Sequence, residues 1–398
     1  MGDGVTFDES GILLPFEPSE YAARLELLRH RMEAARLDAV ICVSPATLYY
    51  FSGYDGQSYG DEQALVVTLD ERPPVLIVRD IDLTLANDIA GSAWGEKRPY
   101  RYPDEDPVQF AWEIVAAALK GGARRVGLEE DQWYLSASYY RRFLSSVPEG
   151  WQLKDATELV NAVRFVKRQA EWRYIREAAG IAATGLDAAR HCARVGIREV
   201  EFAAEIEYAT RRFGSGVPGI PTFVESGLRT VAAHSAPTDR KLGPGEPVRC
   251  AFASVRRRYQ VTTYQAFHIG EPSPAYRQSF EGCRAALEVL KAEIRAGAII
   301  GACCRRARTT LNRHGISAGN MGRWGYGVGI AFPPSWAEPY AINEPSTRLF
   351  EQGMMFCLHV TMSQPAEGFG FTFGANYALT EHGPERVNHD EPDLIVVA

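Results

Sequence analysis

The sequence predicts an α+β chain in two parts, an N-terminal α/β domain over residues 1–160 and a C-terminal α+β domain over residues 161–398. Short β-rich runs alternate with helical spacing in the first part. A long helical pattern follows at the junction. Beyond it, extended β-rich runs are interrupted by two helical stretches, the pattern of a curved antiparallel sheet backed by helices. With 398 residues and 46% hydrophobic side chains, the chain can bury two or three cores.

The elements follow in order. Ser19 is the expected N-cap of a helix reaching Leu37, with Tyr21, Leu25, Leu28, Met32 and Ala35 on one face. A compact strand is expected at 39–43, and two β-rich runs, 64–69 and 75–78, flank Arg72-Pro73-Pro74. Helical spacing over 108–119 leads into a strand at 125–128. From Thr157 to Arg194 the pattern is helical, carrying Leu159, Val163, Val166, Trp172, Ile175 and Ala179. After Gly196 a further helix runs to Phe213, and the loop GSGVPGIP that follows is too rich in Gly and Pro to be helical. Strands are expected at 248–252, 259–267, 354–362 and 371–379, with helices at 275–295 and 303–314.

Composition excludes several classes. A formal charge of -7 argues against a nucleic-acid partner, and the local run Arg256, Arg257, Arg258 reads as a strand end. Seven cysteines without a CxxC pair fit reduced thiols rather than a disulfide framework or a zinc ribbon. The opening MGDGVTFDESGILLPF lacks a basic and an apolar leader region, and no apolar run approaches membrane-spanning length. A soluble cytoplasmic protein without a membrane partner is therefore expected. Gly2 and Thr6 match a myristoylation pattern, which at this length is ordinarily chance.

The segment VRFVKRQAEWRYIREAA (residues 163–179) resembles the hand-over helix of the creatinase and aminopeptidase P family. VAAHSAPTDRKLGPGEPV, RRRYQVTTYQAFHIGEP, GYGVGIAFPPSWAEP and FEQGMMFCLHV then follow in that family's order. FEPSEYAARLELLRHRM and YYFSGYDG look most like the ectoine hydrolase branch. The resemblance spans nearly the whole chain, and ordered motifs are together more specific than any one alone. It implies a creatinase-type N-terminal α/β domain, a pita-bread C-terminal domain and a homodimer.

Metal-binding members of that family place two Asp, one His and two Glu around a pair of ions, a donor set suited to activating a bridging hydroxide. The corresponding positions here are Ala251, Thr262, Tyr326, His359 and Gly374, none of them a carboxylate. One imidazole cannot hold a divalent pair, so no metal and no other cofactor is expected. The resemblance to the metal-independent creatinase and ectoine hydrolase branch assigns the catalytic histidine to His234 in AHSAP, where an imidazole can accept and return a proton near neutral pH. A structural histidine bonded to a loop carbonyl is the alternative.

Two departures stand out: Ala251 replaces an acidic residue of the ectoine hydrolases, and Tyr264 replaces a substrate-binding Glu of creatinase. Creatine and ectoine themselves are therefore doubtful substrates, since a buried cation requires a partner. The catalytic candidates are His234, Tyr264 and His359; the substrate-binding candidates are Tyr259, Tyr326, Phe332, Trp336 and Tyr54. These aromatics suit a flat or apolar small molecule, or else they fill space left by lost carboxylates. Tyr54, Gln57 and Tyr59 fall where the resemblance implies a loop crossing to a partner subunit, or they form an ordinary surface loop. Glu225, Asp239 and Glu367 lie in the motif segments with no assigned place. Three readings remain open: hydrolysis of a C–N bond in a small nitrogen compound with His as general acid/base, a lyase or cyclase of secondary metabolism, and a non-catalytic binding or scaffold homologue.

Overall fold

A computed structural model describes residues 15–88, 95–119, 124–316 and 323–398, so the Gly2/Thr6 pattern and most of the leader reading lie outside the described residues. The chain divides into two compact units, Met1–Arg164 and Phe165–Ala398.

The first unit is a mixed sheet of β1 (Ala39–Cys42), β2 (Ala64–Thr68), β3 (Val75–Arg79), β4 (Glu96–Tyr100), β5 (Arg125–Leu128) and β6 (Gln152–Asp155), in the order β4-β3-β2-β1-β5-β6. Helix α1 spans Pro18–Ala35 rather than starting from a Ser19 cap: Glu17 is the extended N-cap and Pro18 takes the first helical position, where its missing N–H costs nothing. The helix stops before Leu37 because Arg36 turns left-handed. Helix α2 (Pro45–Ser52) has every residue buried, so it carries no amphipathic period to reveal it. The remaining helices are α3 (Leu83–Asp88), α4 (Pro107–Ala118), α5 (Ala137–Ser145) and α6 (Thr157–Phe165). Ile41, Val66, Ile77, Val115, Val126 and Phe143 share the core.

The single helix expected over 157–194 is two, α6 and α7 (Glu171–Cys192). Between them Val166 bridges to Met354 and the Lys167 N–H bonds to the Gly353 carbonyl, so backbone that would have continued the helix joins the sheet instead. The Lys167 ammonium lies against both oxygens of Glu338 at 2.9 and 2.8 Å, a buried pair.

The second unit is built on one sheet: β7 (Phe223–Ser226), β8 (Pro247–Arg256), β9 (Tyr259–Ile269), β10 (Gly325–Val328), β11 (Ala337–Ile342), β12 (Met355–Gln364) and β13 (Phe369–Thr380), in the order β11-β10-β12-β13-β9-β8-β7. Two short strands join it, β14 (Gly383–Arg386) on β13 and β15 (Leu394–Val397) on β9. Arg257 and Arg258, both with positive φ, make the two-residue turn between β8 and β9, a geometry that matches strand twist. Helices α7, α8 (Glu199–Arg212) and α9 (Pro274–Glu293) pack through Gly185 on Phe252, Phe202 on Phe267 and Phe280 on Phe373. These three phenylalanines share one sheet face by register, and α10 (Ile300–Arg313) lies beside α9. Among the described residues no helix is long and apolar enough to cross a membrane, and all seven cysteines are free and buried.

Candidate active site

Residues directly opposite in an antiparallel ladder share a face, and those two apart along a strand do as well. The register sets Phe223, Ala251, Tyr264, Gly374 and His359 opposite one another in succession across β7, β8, β9, β13 and β12. On one side of this row lie Glu225, Arg249, Ala266, Thr372 and Thr361; on the other lie Ala253, Thr262, Asn376, Cys357 and Tyr326. All of them belong to the face turned away from Phe252, Phe267 and Phe373, and so away from the helices.

A connected set of rings covers this face. Tyr264 and His359 stack with centroids 4.6 Å apart and planes at 13°. Tyr326 leans on His359 at 5.4 Å, and its hydroxyl meets that of Tyr264 at 2.5 Å. Trp336 stands edge-on to both Tyr264 and Phe223, and Phe223 lies 5.6 Å from His234. His234 follows a 3-10 turn over Gly227–Val231 and sits at φ 68, a left-handed conformation that costs a β-carbon residue about 1–2 kcal/mol. The next N–H, of Ser235, donates to Glu225 Oε1 at 3.0 Å, which ties this loop to β7. Strain of this kind collects where a side chain has to be aimed.

Burial and charge set the protonation states. His359 is 7% exposed and its Nε2 has no hydrogen-bond partner, while Nδ1 lies 3.3 Å from the Thr361 hydroxyl. Burial, reinforced by Arg323, Arg249 and His234, pushes its pKa down to about 3, so the imidazole is neutral at any ordinary pH. His234 is lowered too, by partial burial and then by Arg249 and Arg323. Burial raises the Tyr264 and Tyr326 phenols, which stay protonated. Burial also pushes the Glu225 carboxyl up to about 7 against the pull of Arg249 and the Ser235 N–H.

The donors at the five positions that resemblance assigns to metal ligands do not fit a pair of divalent cations. They are a methyl, a hydroxyl already bonded to Asn376, a phenol, one imidazole and a hydrogen. A side chain at Gly374 would force its neighbours to shift, because a β-carbon there would come within 2.4 Å of the Leu358 carbonyl and 2.5 Å of the His359 β-carbon. Among the described residues no group of three or more His, Cys, Asp or Glu could hold an ion. The nearest fixed charges, Arg249 and Arg323, repel one.

Five of the eight candidate residues, His234, Tyr264, His359, Tyr326 and Trp336, stand together here. Three do not. Tyr259 lies five residues from Tyr264 on the same regular strand and so faces the helices, where its hydroxyl donates to Glu171 at 3.0 Å. Phe332 lies beneath the Arg258 guanidinium at 4.1 Å. Tyr54 belongs to the first unit and is 2% exposed, with its hydroxyl raised to about 12 by burial. Of the unassigned acids, Glu225 joins the site, Asp239 pairs with Arg198 at the surface and Glu367 is exposed in a turn. Arg249, Arg323 and Phe223 were missed. Arg249 had a signal: it sits two residues before Ala251 in a strand and must share its face.

The pattern "Metallopeptidase family M24" matches residues 173–381, and "Creatinase/Prolidase N-terminal domain" matches residues 24–166. The chain belongs to the M24 family, with a creatinase-type N-terminal domain followed by a pita-bread domain, and by family it stands among hydrolytic enzymes. It is 30% identical over 396 residues to "Uncharacterized hydrolase/peptidase y4tM" of Sinorhizobium fredii, covering 96% of this chain and 99% of that one. Likewise it is 27% identical to "Ectoine hydrolase" of Halomonas elongata, covering 94% and 96%. Among solved structures, dipeptidase PepE from Mycobacterium ulcerans superposes with a TM-score of 0.84 at 23% identity, covering 96% and 99%, which speaks to the fold.

Proposed function

We propose that this chain is a metal-independent hydrolase of a C–N bond in a small nitrogen-containing molecule, working by acid/base chemistry at His234. The observation that carries the reading is the ring-lined sheet face, which gathers two neutral imidazoles and two protonated phenols with no carboxylate at the positions resemblance assigns to metal ligands. The ectoine hydrolase relative supports the reaction class. In this mechanism the His234 imidazole, exposed at the surface and with its pKa lowered by partial desolvation and by Arg249 and Arg323, takes a proton from water attacking the carbon of the C–N bond. In the Tyr264–Tyr326 hydroxyl pair one O–H donates to the other, and the remaining O–H donates a hydrogen bond to the oxygen on which negative charge develops. His234 then returns the proton to the departing nitrogen. His359, with a pKa near 3, serves as a neutral hydrogen-bonding group and cannot act as the acid.

A second reading draws on the burial of Tyr264, Tyr326, Trp336 and His359, while His234 itself is exposed: a lyase or cyclase in which His234 and a phenol move a proton without activating water. A homodimer in the cytoplasm is part of the proposal; the seven free thiols support the compartment. The test is proton NMR of chelator-treated protein with cyclic amidines, guanidino acids and N-acyl amino acids, creatine and ectoine included, beside a His234→Gly variant that keeps the left-handed backbone. Turnover lost in the variant supports the mechanism. Turnover that survives it, or stoichiometric metal in protein purified without chelator, overturns it.

A further inference from the structure

We propose that Glu199 is the positioning residue of His234, a single buried carboxylate that ties down both ends of the loop carrying that imidazole. Glu199 is the first residue of α8 and is fully buried. An acid there is favoured by the helix dipole alone, yet among the described residues its side chain accepts nothing from α8. Its Oε1 accepts from the Ser226 N–H at 2.8 Å and the Ser226 hydroxyl at 2.7 Å. Its Oε2 accepts from the Thr238 N–H at 3.0 Å and the Thr238 hydroxyl at 2.7 Å. The Arg229 Nε–H lies within 3.3 Å of both oxygens. All of these donors belong to residues 226–238, the segment that leaves β7, makes the 3-10 turn and passes through His234.

The loop needs such a tie. Ala232, Ala233, His234 and Ala236 are exposed, so no packed core fixes it. His234 holds a left-handed φ of 68, a conformation that persists only where the surroundings over-determine it. Beyond His234 the ties lead back to Glu199: Arg229 Nη2 donates to the Ala236 carbonyl at 2.7 Å, and Thr238 is held directly. Hydrogen bonds to a carboxylate are roughly twice as strong as neutral ones. The outcome is an imidazole kept 5.6 Å from the Phe223 ring and within reach of Arg249 on β8 and of Arg323, with Glu225 of β7 bonded to the next residue and His359 of β12 beyond. The assignment deepens the hydrolase reading by naming what aims its imidazole, and it rests on His234 being that acid/base group.

NMR titration of the full chain with isotope-labelled histidine tests it without substrate, the His234→Gly variant identifying the His234 signal among eight. In the wild type that signal is expected to titrate below 6.5. Glu199→Gln sets an amide nitrogen against N–H and O–H donors and releases the loop, so His234 is expected to rise to about 6.5 and to lose the ring-current shift from Phe223. Loss of a negative charge by itself moves an imidazole the other way, so a rise reports movement. His268, lowered by burial on β9, is expected to stay where it is. Thr238→Val removes one hydroxyl bond and no charge; it is expected to give a smaller shift of the same sign, and it decides the matter if Glu199→Gln does not fold. A His234 that titrates at 6.5 in the wild type, that stays or falls in the variants, or that moves no more than His268 overturns the proposal. An inert protein whose His234 follows Glu199 sinks the hydrolase and spares the tie, and turnover lost in His234→Gly beside a His234 that ignores Glu199 does the reverse.

Discussion

Glu225→Gln tests the electrostatics of the site through stability. The wild-type carboxyl is held at about 7 in the folded chain, against an ordinary value of 4.5. Between those values the folded state therefore binds a proton that the unfolded state has released. Stability falls as pH rises through that window and is level above it. The displacement is worth about 3 kcal/mol when the group is fully ionised. Glutamine mimics the protonated acid and can still accept the Ser235 N–H through its amide oxygen, so the variant escapes the penalty. Urea unfolding of both proteins at pH 4 and pH 8 is expected to give nearly equal stabilities at pH 4 and a variant more stable by up to about 3 kcal/mol at pH 8. Because the other titrating groups are common to both proteins, the change in the gap belongs to Glu225. A gap that is the same at both values, or one that reverses, refutes the claim that this carboxyl is buried without a direct counter-ion.

Two further perturbations follow from the same geometry. Gly374→Ala forces a β-carbon against the Leu358 carbonyl and His359, and overpacking on that scale costs about 1–3 kcal/mol; the expected result is a lower urea midpoint with an altered near-UV signal as the Tyr264 and His359 stack shifts. An unchanged midpoint would mean that β12 and β13 are not held as closely as described. Arg323→Gln removes one of the two guanidinium charges that lower His234. Removing a nearby positive charge favours the imidazolium, so the acid limb of kcat/KM should lie below 6.5 in the wild type and move up in the variant. A limb that does not move would separate His234 from the proton transfer.

The two-unit architecture was legible because it rests on spacing and on ordered motifs that a β-rich chain displays openly. What was not legible had specific physical causes. Helix α2 is apolar on every side and leaves no period to count. The break at residues 166–170 comes from a β-bridge to Met354, a partner nearly two hundred positions away. Within the site, assigning Tyr264 and His359 to one place amounted to knowing strand register, which the motif positions of Ala251 and Gly374 supplied. Tyr259 failed for the same reason read in reverse, since an odd separation from Tyr264 on an unbroken strand puts it on the helical side. The left-handed turn at His234 had no sequence mark, because only a few per cent of residues with a β-carbon adopt it and neither glycine nor asparagine stands there to announce it.

The losses and gains on this sheet face have one electrostatic direction. An oxygen-rich set at Ala251, Thr262 and Gly374 would have made the face attractive to cations. With those positions reduced to a methyl, a hydroxyl and a hydrogen, the nearest fixed charges are Arg249 and Arg323, and the sign of the site is positive. That inversion accounts for features that are otherwise unconnected. It adds to the burial that lowers both histidines, and His359, with a pKa near 3, stays neutral. Among the described residues placed on these rows Glu225 is the acid, and its Oε1 accepts from the Ser235 N–H of the loop that carries His234.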